Sequence, residues 1–379
     1  MKSNTENPMF WRSDITGGLS IVLMVYAMPL GVPQDSLVKD CWNLNPETAI
    51  KGCSQLIQSL PESNQNLSKY FDLRGLAYAA RGRSRDAIAD YADAIQLDPK
   101  IESYYLNRGL AYLAIADFNL AFADLRHAIE LNPNDPVAFY NRGTAYSQHE
   151  EYENAIADST HAIALKPDYA VAYNDRGGAY HRLGLEDESI ADVNEAIHLK
   201  PDYAAAWMNR GSAYQRNGQL ERAIQDFTES IRIQPRYPGV YLNRGVAYFD
   251  EGKYDLAIKD FDRAIELNPE YAKAFLNRGN THSRMHDYES AIEDYTRAIQ
   301  SISGYAEAYE ARAEDYDKIG RQQSAIDDYT RVIEIQPMNA TAYYRRGLAK
   351  RRAGDVSGSL EDIHAAEQID KDISRKVGT

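Results

Sequence analysis

The sequence predicts an all-α fold of the α-solenoid class, and three observations carry the prediction. An Arg recurs at Arg74, Arg108, Arg142, Arg176, Arg210, Arg244, Arg278, Arg312 and Arg346, each 34 residues after the last, with nothing inserted or lost between them. Within one period, residues 240–269 (VYLNRGVAYFDEGKYDLAIKDFDRAIELNP), aromatic and small residues fall at helical spacing in two runs separated by a turn at Gly252, which reads as a helix hairpin. An Asp follows each of the nine arginines by sixteen residues, from Asp90 to Asp362. A period of this length means units that cannot bury their apolar faces alone and must stack on their neighbours.

The small residues have mechanical reasons to be small. Gly245, Ala257 and Ala264 let two helices approach, while Tyr248 and Phe261 fill the space beside them, so Gly245→Leu is expected to wedge the hairpin open. Pro269 lacks the amide that would continue the second helix and marks the passage to the next unit. An aromatic at position 4 of the period, Gly at 8, Tyr at 11, Ala at 20, an aromatic at 24, Ala at 27 and Pro at 32 together resemble the tetratricopeptide repeat over residues 69–370. The resemblance implies a right-handed superhelix of nine 34-residue helix-turn-helix units, residues 68–371, with the first helix of each unit lining a concave groove.

Composition allows a large core, with 379 residues of which 44% are hydrophobic, and a net charge of −14 disfavours nucleic acid and anionic membrane surfaces as partners. At the N-terminus, Lys2 and Arg12 precede an apolar run over residues 19–28 (LSIVLMVYAM), which breaks at Pro29, Gly31 and Pro33. That order reads as a secretory signal over residues 1–31, with small-residue cleavage points at Ala27 and Gly31 and retention as an inner-membrane anchor as the alternative. An exported chain, periplasmic or secreted, follows from the first reading.

The only two cysteines, Cys41 and Cys53, lie just beyond, in a stretch over residues 34–62 that reads as a half-repeat, with Cys53 where an aromatic usually sits. An even count in an exported chain points to one disulfide, with two buried thiols as the alternative; no His flanks them at metal-ligand spacing. The layout is similar to exported bacterial tetratricopeptide proteins in which a Cys-bearing half-repeat precedes the array. The nine units then run without linkers. Ser301, Ser303 and Ala313 break the pattern between the seventh and eighth units and mark the weakest seam. In the last unit Glu367 replaces an Ile and Lys350 a Tyr, as on a face meeting water, and residues 372–379 read as a charged tail with no capping helix.

Nine repetitions of the Arg and Asp pair argue for mutual contact, within a hairpin or across to the next, in a ladder that sets stacking register. A phosphate-binding stripe is the alternative, weakened by the equal number of carboxylates. For the groove, the resemblance implies contacts from first-helix positions 2, 5, 6, 9, 12 and 13. Position 6 then places Asn107, Asn141, Asn209, Asn243 and Asn277 in a row interrupted by Asp175, similar to the asparagine ladder of other family members. Amides carry both donors and an acceptor and can hold the backbone of an extended peptide; a plain solvated surface is the competing reading.

Leu76, Leu106, Leu110 and Leu113 make an apolar patch near the start of the groove, open to an amphipathic partner or covered by the half-repeat. In the eighth unit Glu307, Glu310, Glu314 and Asp317 share one face, beside Arg345, Arg351 and Arg352 of the ninth and Lys273 and Arg284 of the seventh. These charges either select a charged partner or neutralise one another.

The sequence carries no Gly-rich phosphate loop, nucleophile elbow, zinc-protease motif or dinucleotide fingerprint. His282 and His286, four apart, could share a helix face, but no third metal ligand accompanies them. The expected role is therefore non-catalytic, without cofactor, metal or small-molecule substrate: a scaffold that binds a protein or an extended peptide along the groove. A self-associating structural array, including a homo-oligomer, and a cell-wall or glycan-binding protein stay open as alternatives.

Overall fold

The computed structural model describes residues 9–15, 19–25, 36–59 and 63–377. Two strands, β1 (Met9–Ile15) and β2 (Leu19–Val25), pair antiparallel with Met9 opposite Val25. Every other regular element is helical: α1 (Ser36–Cys41), α2 (Pro46–Ser59), α3 (Asn64–Ala80), α4 (Ser84–Leu97), α5 (Glu102–Leu113), α6 (Phe118–Leu131), α7 (Pro136–Gln148), α8 (Tyr152–Leu165), α9 (Ala170–Arg182), α10 (Glu186–Leu199) and α11 (Ala204–Arg216). They are followed by α12 (Leu220–Ile233), α13 (Pro238–Asp250), α14 (Tyr254–Leu267), α15 (Ala272–Arg284), α16 (Tyr288–Ser301), α17 (Ala306–Lys318), α18 (Gln322–Ile335), α19 (Ala340–Arg352), α20 (Val356–Ile369) and α21 (Ile373–Val377). From α3 to α20 the helices form nine hairpins, and each of the nine arginines sits on the first helix of one.

Because a repeat touches only its neighbours, such an array has no single core. Its contacts fall into two compact units, Met1–Asn209 and Arg210–Thr379. In the first, α3, α5, α7 and α9 lie side by side as successive first helices; in the second, α13, α15 and α17 do the same. None of the described helices is long and apolar enough to cross a membrane, and the candidate cleavage points Ala27 and Gly31 lie outside the described residues.

Within each hairpin the glycine at position 8 sets the helix separation. A Cβ added to Gly245 would sit 2.6 Å from the Phe261 ring, one on Gly75 2.6 Å from Tyr91 and one on Gly279 2.7 Å from Tyr295. Phe261, Ala257 and Ala264 are fully buried, and burial of one such ring stabilises by about 1.5–3 kcal/mol. The seam at the eighth unit keeps this packing: Ala313, standing where the glycine stands elsewhere, is buried in one cluster with Tyr329. The turns use the left-handed region, with φ of +75° at Gly252 and +64° at His286. Because α15 ends at Arg284, His282 and His286 do not share a helix face; His282 faces Asp287, and His286 meets the Tyr288 hydroxyl at 2.8 Å.

The half-repeat is a short hairpin, α1 against α2, and it packs on α3. Cys41, the last residue of α1, and Cys53 in α2 form a disulfide with 4.5 Å between their Cα atoms, so the disulfide holds over free thiols. At the other end α21 is a short cap that the sequence reading did not foresee. Its Ile373 is 2% exposed and joins a cluster with Ala340 and Ala366. Lys350 is likewise no solvated replacement for Tyr: its Nζ pairs with Asp362 at 2.9 Å.

Of the two pairings that the spacing left open, the one within the hairpin is found, and the Arg reaches the preceding repeat through a different residue. Arg244 donates from Nε and Nη2 to the two oxygens of Asp260 on the second helix of its own hairpin, at 2.7 and 2.8 Å. The same two-pronged bond closes in all nine repeats. The remaining nitrogen, Nη1, reaches back into the preceding repeat, to Thr228 at 3.0 Å. Its equivalents at Arg74, Arg176, Arg278, Arg312 and Arg346 reach Ser54, Thr160, Asp262, Thr296 and Thr330. The Arg244 guanidinium also lies between the rings of Tyr241 and Tyr248, where cation–π attraction adds to the hold.

A planar guanidinium holds both carboxylate oxygens in a fixed fork and keeps a separate nitrogen for the third acceptor, which an ammonium with all its donors on one atom does not match. The pairing holds the Arg210 guanidinium above its ordinary range, the Asp226 hydrogen bonds outweighing the opposing effect of burial. Double-mutant cycles should give Arg244 and Asp260 a coupling of about 2 kcal/mol or more, and Arg244 and Thr228 about 0.5–1 kcal/mol. Arg244→Lys should lose most of the first. Chemical denaturation of the four proteins of each cycle is the measurement, and absence of coupling to Asp260 would contradict the pairing.

Candidate functional site

The faces of the first helices carry the side chains that packing does not consume, and the two units differ there. In the N-terminal unit the asparagine row is largely engaged. Asn107 is fully buried and donates from Nδ2 to Asp72 Oδ1 at 3.0 Å, while its own Oδ1 meets no hydrogen-bond partner among the described residues. Asn141 is also buried. Asn209 donates to Asn174 Oδ1 at 3.0 Å, and Asn174 in turn to Asp175.

In the C-terminal unit Asn243 is half-buried, and Asn277 turns onto its own helix to donate to the Lys273 carbonyl at 2.7 Å. The structure therefore does not give these five amides one common setting: Asn107 and Asn141 are buried, Asn209 bonds to a neighbouring repeat, Asn277 bonds along its helix and Asn243 is half-buried. An amide that can both donate and accept finds partners close by.

Burial perturbs carboxyls of the N-terminal unit, those of Asp72 and Glu102 most strongly. That of Asp72 is pushed up to about 7, with the Asn107 hydrogen bond pulling the other way. Burial and the Asp135 carboxyl push Glu102 up to about 8 against the Asn132 amide. Asp135 itself caps α7, accepting from the amides of Val137 and Ala138.

The C-terminal unit holds a cleft of about 500 Å³ between α13, α15 and α17. Phe249, Leu276 and Tyr295 give it an apolar side; Glu307, Glu310, Glu314 and Asp315 give it an acidic one, with Arg284 and Lys318 at its margin. Of the charges grouped by the sequence, Glu314 pairs with Arg345 and Asp317 with Arg352 across to the next repeat. Burial lowers the pKa of Arg345, with Glu310 opposing the effect. Arg351 and Lys273 are exposed and do not line the cleft. Glu307 and Glu310 enter no ion pair among the described residues.

Asp315 is the residue that the sequence reading missed. Position 10 of the repeat is Ala in seven of the nine units, Thr281 in the seventh and Asp315 in the eighth, and it faces the tight contact between hairpins. Asp315 is 1% exposed. Its Oδ1 accepts from Ser283 Oγ and Lys318 Nζ, both at 2.8 Å, whereas Oδ2 is buried without a partner among the described residues. A carboxylate in a slot built for a methyl group, with one buried oxygen left without a partner beside the cleft, is equipped to hold a donor. The departure from Ala was the signal that could have found it.

Stacked helix hairpins with a ligand-sized cleft on their first helices define a repeat scaffold. Sequence profiles of the tetratricopeptide repeat match residues 204–237, 238–271 and 272–301, and further profiles of the same repeat match 75–115, 102–135, 125–157, 170–203 and 310–372. The chain belongs to the tetratricopeptide repeat family, whose members generally mediate protein–protein interaction and are generally non-catalytic.

Among solved structures it is similar to the APC/C hetero-tetramer Cut9–Hcn1, at 17% identity over 83% of this chain and 65% of that one, with a TM-score of 0.57. It is also similar to a tetratricopeptide repeat protein of Parabacteroides merdae, at 18% identity over 65% of this chain and 98% of that one, with a TM-score of 0.54. These are likenesses of fold. No curated protein matches the sequence.

The shift of Asp72 sets a pH dependence. A carboxyl raised from 3.8 to about 7 contributes stability while protonated, in full below pH 4, and that contribution is lost as pH rises towards 7. Asp72→Asn, neutral throughout and still able to accept from Asn107, should remove this decline. It should exceed the parent by about 1 kcal/mol or more at pH 8. Urea denaturation at pH 4.5 and pH 8 checks it; the same pH slope in both proteins would contradict the assignment.

Proposed function

We propose that the chain is a non-catalytic scaffold that holds an extended peptide or a partner protein on the faces of its first helices, and that the C-terminal cleft takes a cationic side chain of that partner. The observation that carries this reading is the contrast between the two sets of charges. The nine arginines and their aspartates are spent on one another, whereas Glu307 and Glu310 line a cleft with an aromatic side, beside which the inner oxygen of Asp315 is left without a partner among the described residues. A Lys or Arg side chain laid beside Phe249 and Tyr295 would find acceptors there and shed its apolar stem against the rings. Glu307, Glu310, Glu314 and Asp315 outnumber Arg284 and Lys318 in the lining, which favours a positive ligand.

The exported location belongs to the same reading. A disulfide between Cys41 and Cys53 suits an oxidising compartment, and the basic residues followed by an apolar run at the N-terminus suit export. Asn209 and Asn243, two of the three amides of the row that keep partial exposure, would contact the peptide backbone.

Selection from a random peptide library on the purified chain should enrich sequences bearing Lys or Arg. Asp315→Ala combined with Glu310→Gln should weaken their binding at least tenfold. Asp315→Ala only restores the residue that seven other repeats carry, so lost binding cannot be put down to lost fold. Enrichment of acidic or purely apolar peptides, or undiminished binding by the double variant, would overturn the proposal.

A further inference from the structure

The N-terminal strand lies on the face that the scaffold reading assigns to ligands. β2 packs against α3, α5 and α7, three successive first helices of the N-terminal unit. At this end the groove positions are closed: Leu76, Leu106, Leu110 and Leu113 are all under 7% exposed. In the C-terminal unit the counterparts of Leu76, Leu110 and Leu113 are half-buried, at Val246, Phe249, Asn280 and Ser283, while the counterparts of Leu106, which are Leu242 and Leu276, are buried as it is. The half-repeat alone does not account for the cover, since α1 and α2 pack on α3 while the closed positions extend along α5.

The dimensions agree. A seven-residue strand spans about 20 Å at ~3.4 Å per residue, and three adjacent helices at interaxial distances of 8–10 Å span about 16–20 Å. The sequence of the strand is apolar throughout except for Ser20 (LSIVLMV), and two of the helices it packs against, α3 and α5, carry the four buried leucines.

We propose that the groove of the N-terminal unit is a receptor for an extended apolar segment of about seven residues, and that Leu19–Val25 occupies it in cis. This rests on the scaffold reading in one respect, that first helices present the ligand face; it is independent of the acidic cleft, whose ligand is of the opposite character. An apolar strand from a partner must displace β2 to bind. Cleavage at Ala27 or Gly31, the points proposed for export, would carry the strand away and leave the leucine floor open.

The test uses the full chain and its variant Ile21→Asp/Val22→Asp/Leu23→Asp, which places charge on both faces of β2. The probe is a fluorescent peptide of sequence LSIVLMV with flanking lysines for solubility, followed by anisotropy. The variant should bind it at least tenfold more tightly than the unsubstituted chain. Equal binding by both, or binding by neither, overturns the proposal.

Amide exchange in the unsubstituted chain gives a second reading that needs no variant. The amides of Leu19–Val25 should exchange at least tenfold more slowly than in the free peptide, and exchange at the free rate overturns the proposal. A lysine-only peptide serves as control for the acidic cleft. Failure of the peptide selection on that cleft would count against the scaffold reading, whereas loss of protection in β2 would count against cis occupancy alone.

Discussion

The three-way bond of the repeated arginine is the constraint on which the rest of the structure depends. Two of its nitrogens tie the first helix of a hairpin to the second, through Asp260 in the case of Arg244. The third ties that hairpin to the one before, through Thr228. A hairpin of two thirteen- or fourteen-residue helices buries too little to stand alone. Apolar contact between helices is non-directional, and the guanidinium supplies the direction that it lacks. Its net contribution to stability can be modest, because two charges have left water, but a hairpin placed in another register strands a buried carboxylate.

That division of labour decides where function can reside. Position 8 admits nothing larger than Gly or Ala, position 10 is a methyl-sized slot, and the second helices are engaged with the arginines. Only the outward positions of the first helices vary freely, and there the two units diverge into a leucine floor over α3 and α5 and a mixed aromatic and acidic cleft over α13, α15 and α17. One architecture thus presents two faces of different chemistry. Neither cysteine takes part in them: the disulfide ties α1 to α2 and lets the half-repeat close the end of the array, as Ile373 of α21 does at the other end.

Much of this was legible in the sequence, because a repeat writes each packing constraint nine times. The hairpins, the role of Gly245 and the mutual contact of Arg and Asp all follow from spacing. Whether Arg pairs with Asp within a hairpin or beyond it was not legible, since the spacing is satisfied by either; it pairs within, and the spare donor finds a residue such as Thr228 in the repeat before. The asparagine row could be placed but not its bonding, which depends on single neighbours such as Asp72 and Asn174. Asp315 stood in plain view as a carboxylate in a column of alanines, hidden because attention to recurring residues passes over the exception. The β1 and β2 hairpin and α21 lie outside the period, where repetition offers no help.

Native-state hydrogen exchange of Arg244→Ala tests the central claim most directly. If the arginine joins its own hairpin to the preceding one, protection should fall first in α13 and α14 and in α12, which carries Thr228, while α5 to α8 keep the protection of the parent protein. A uniform loss of protection along the whole chain, or a loss confined to α13 with α12 and α14 unchanged, would contradict it.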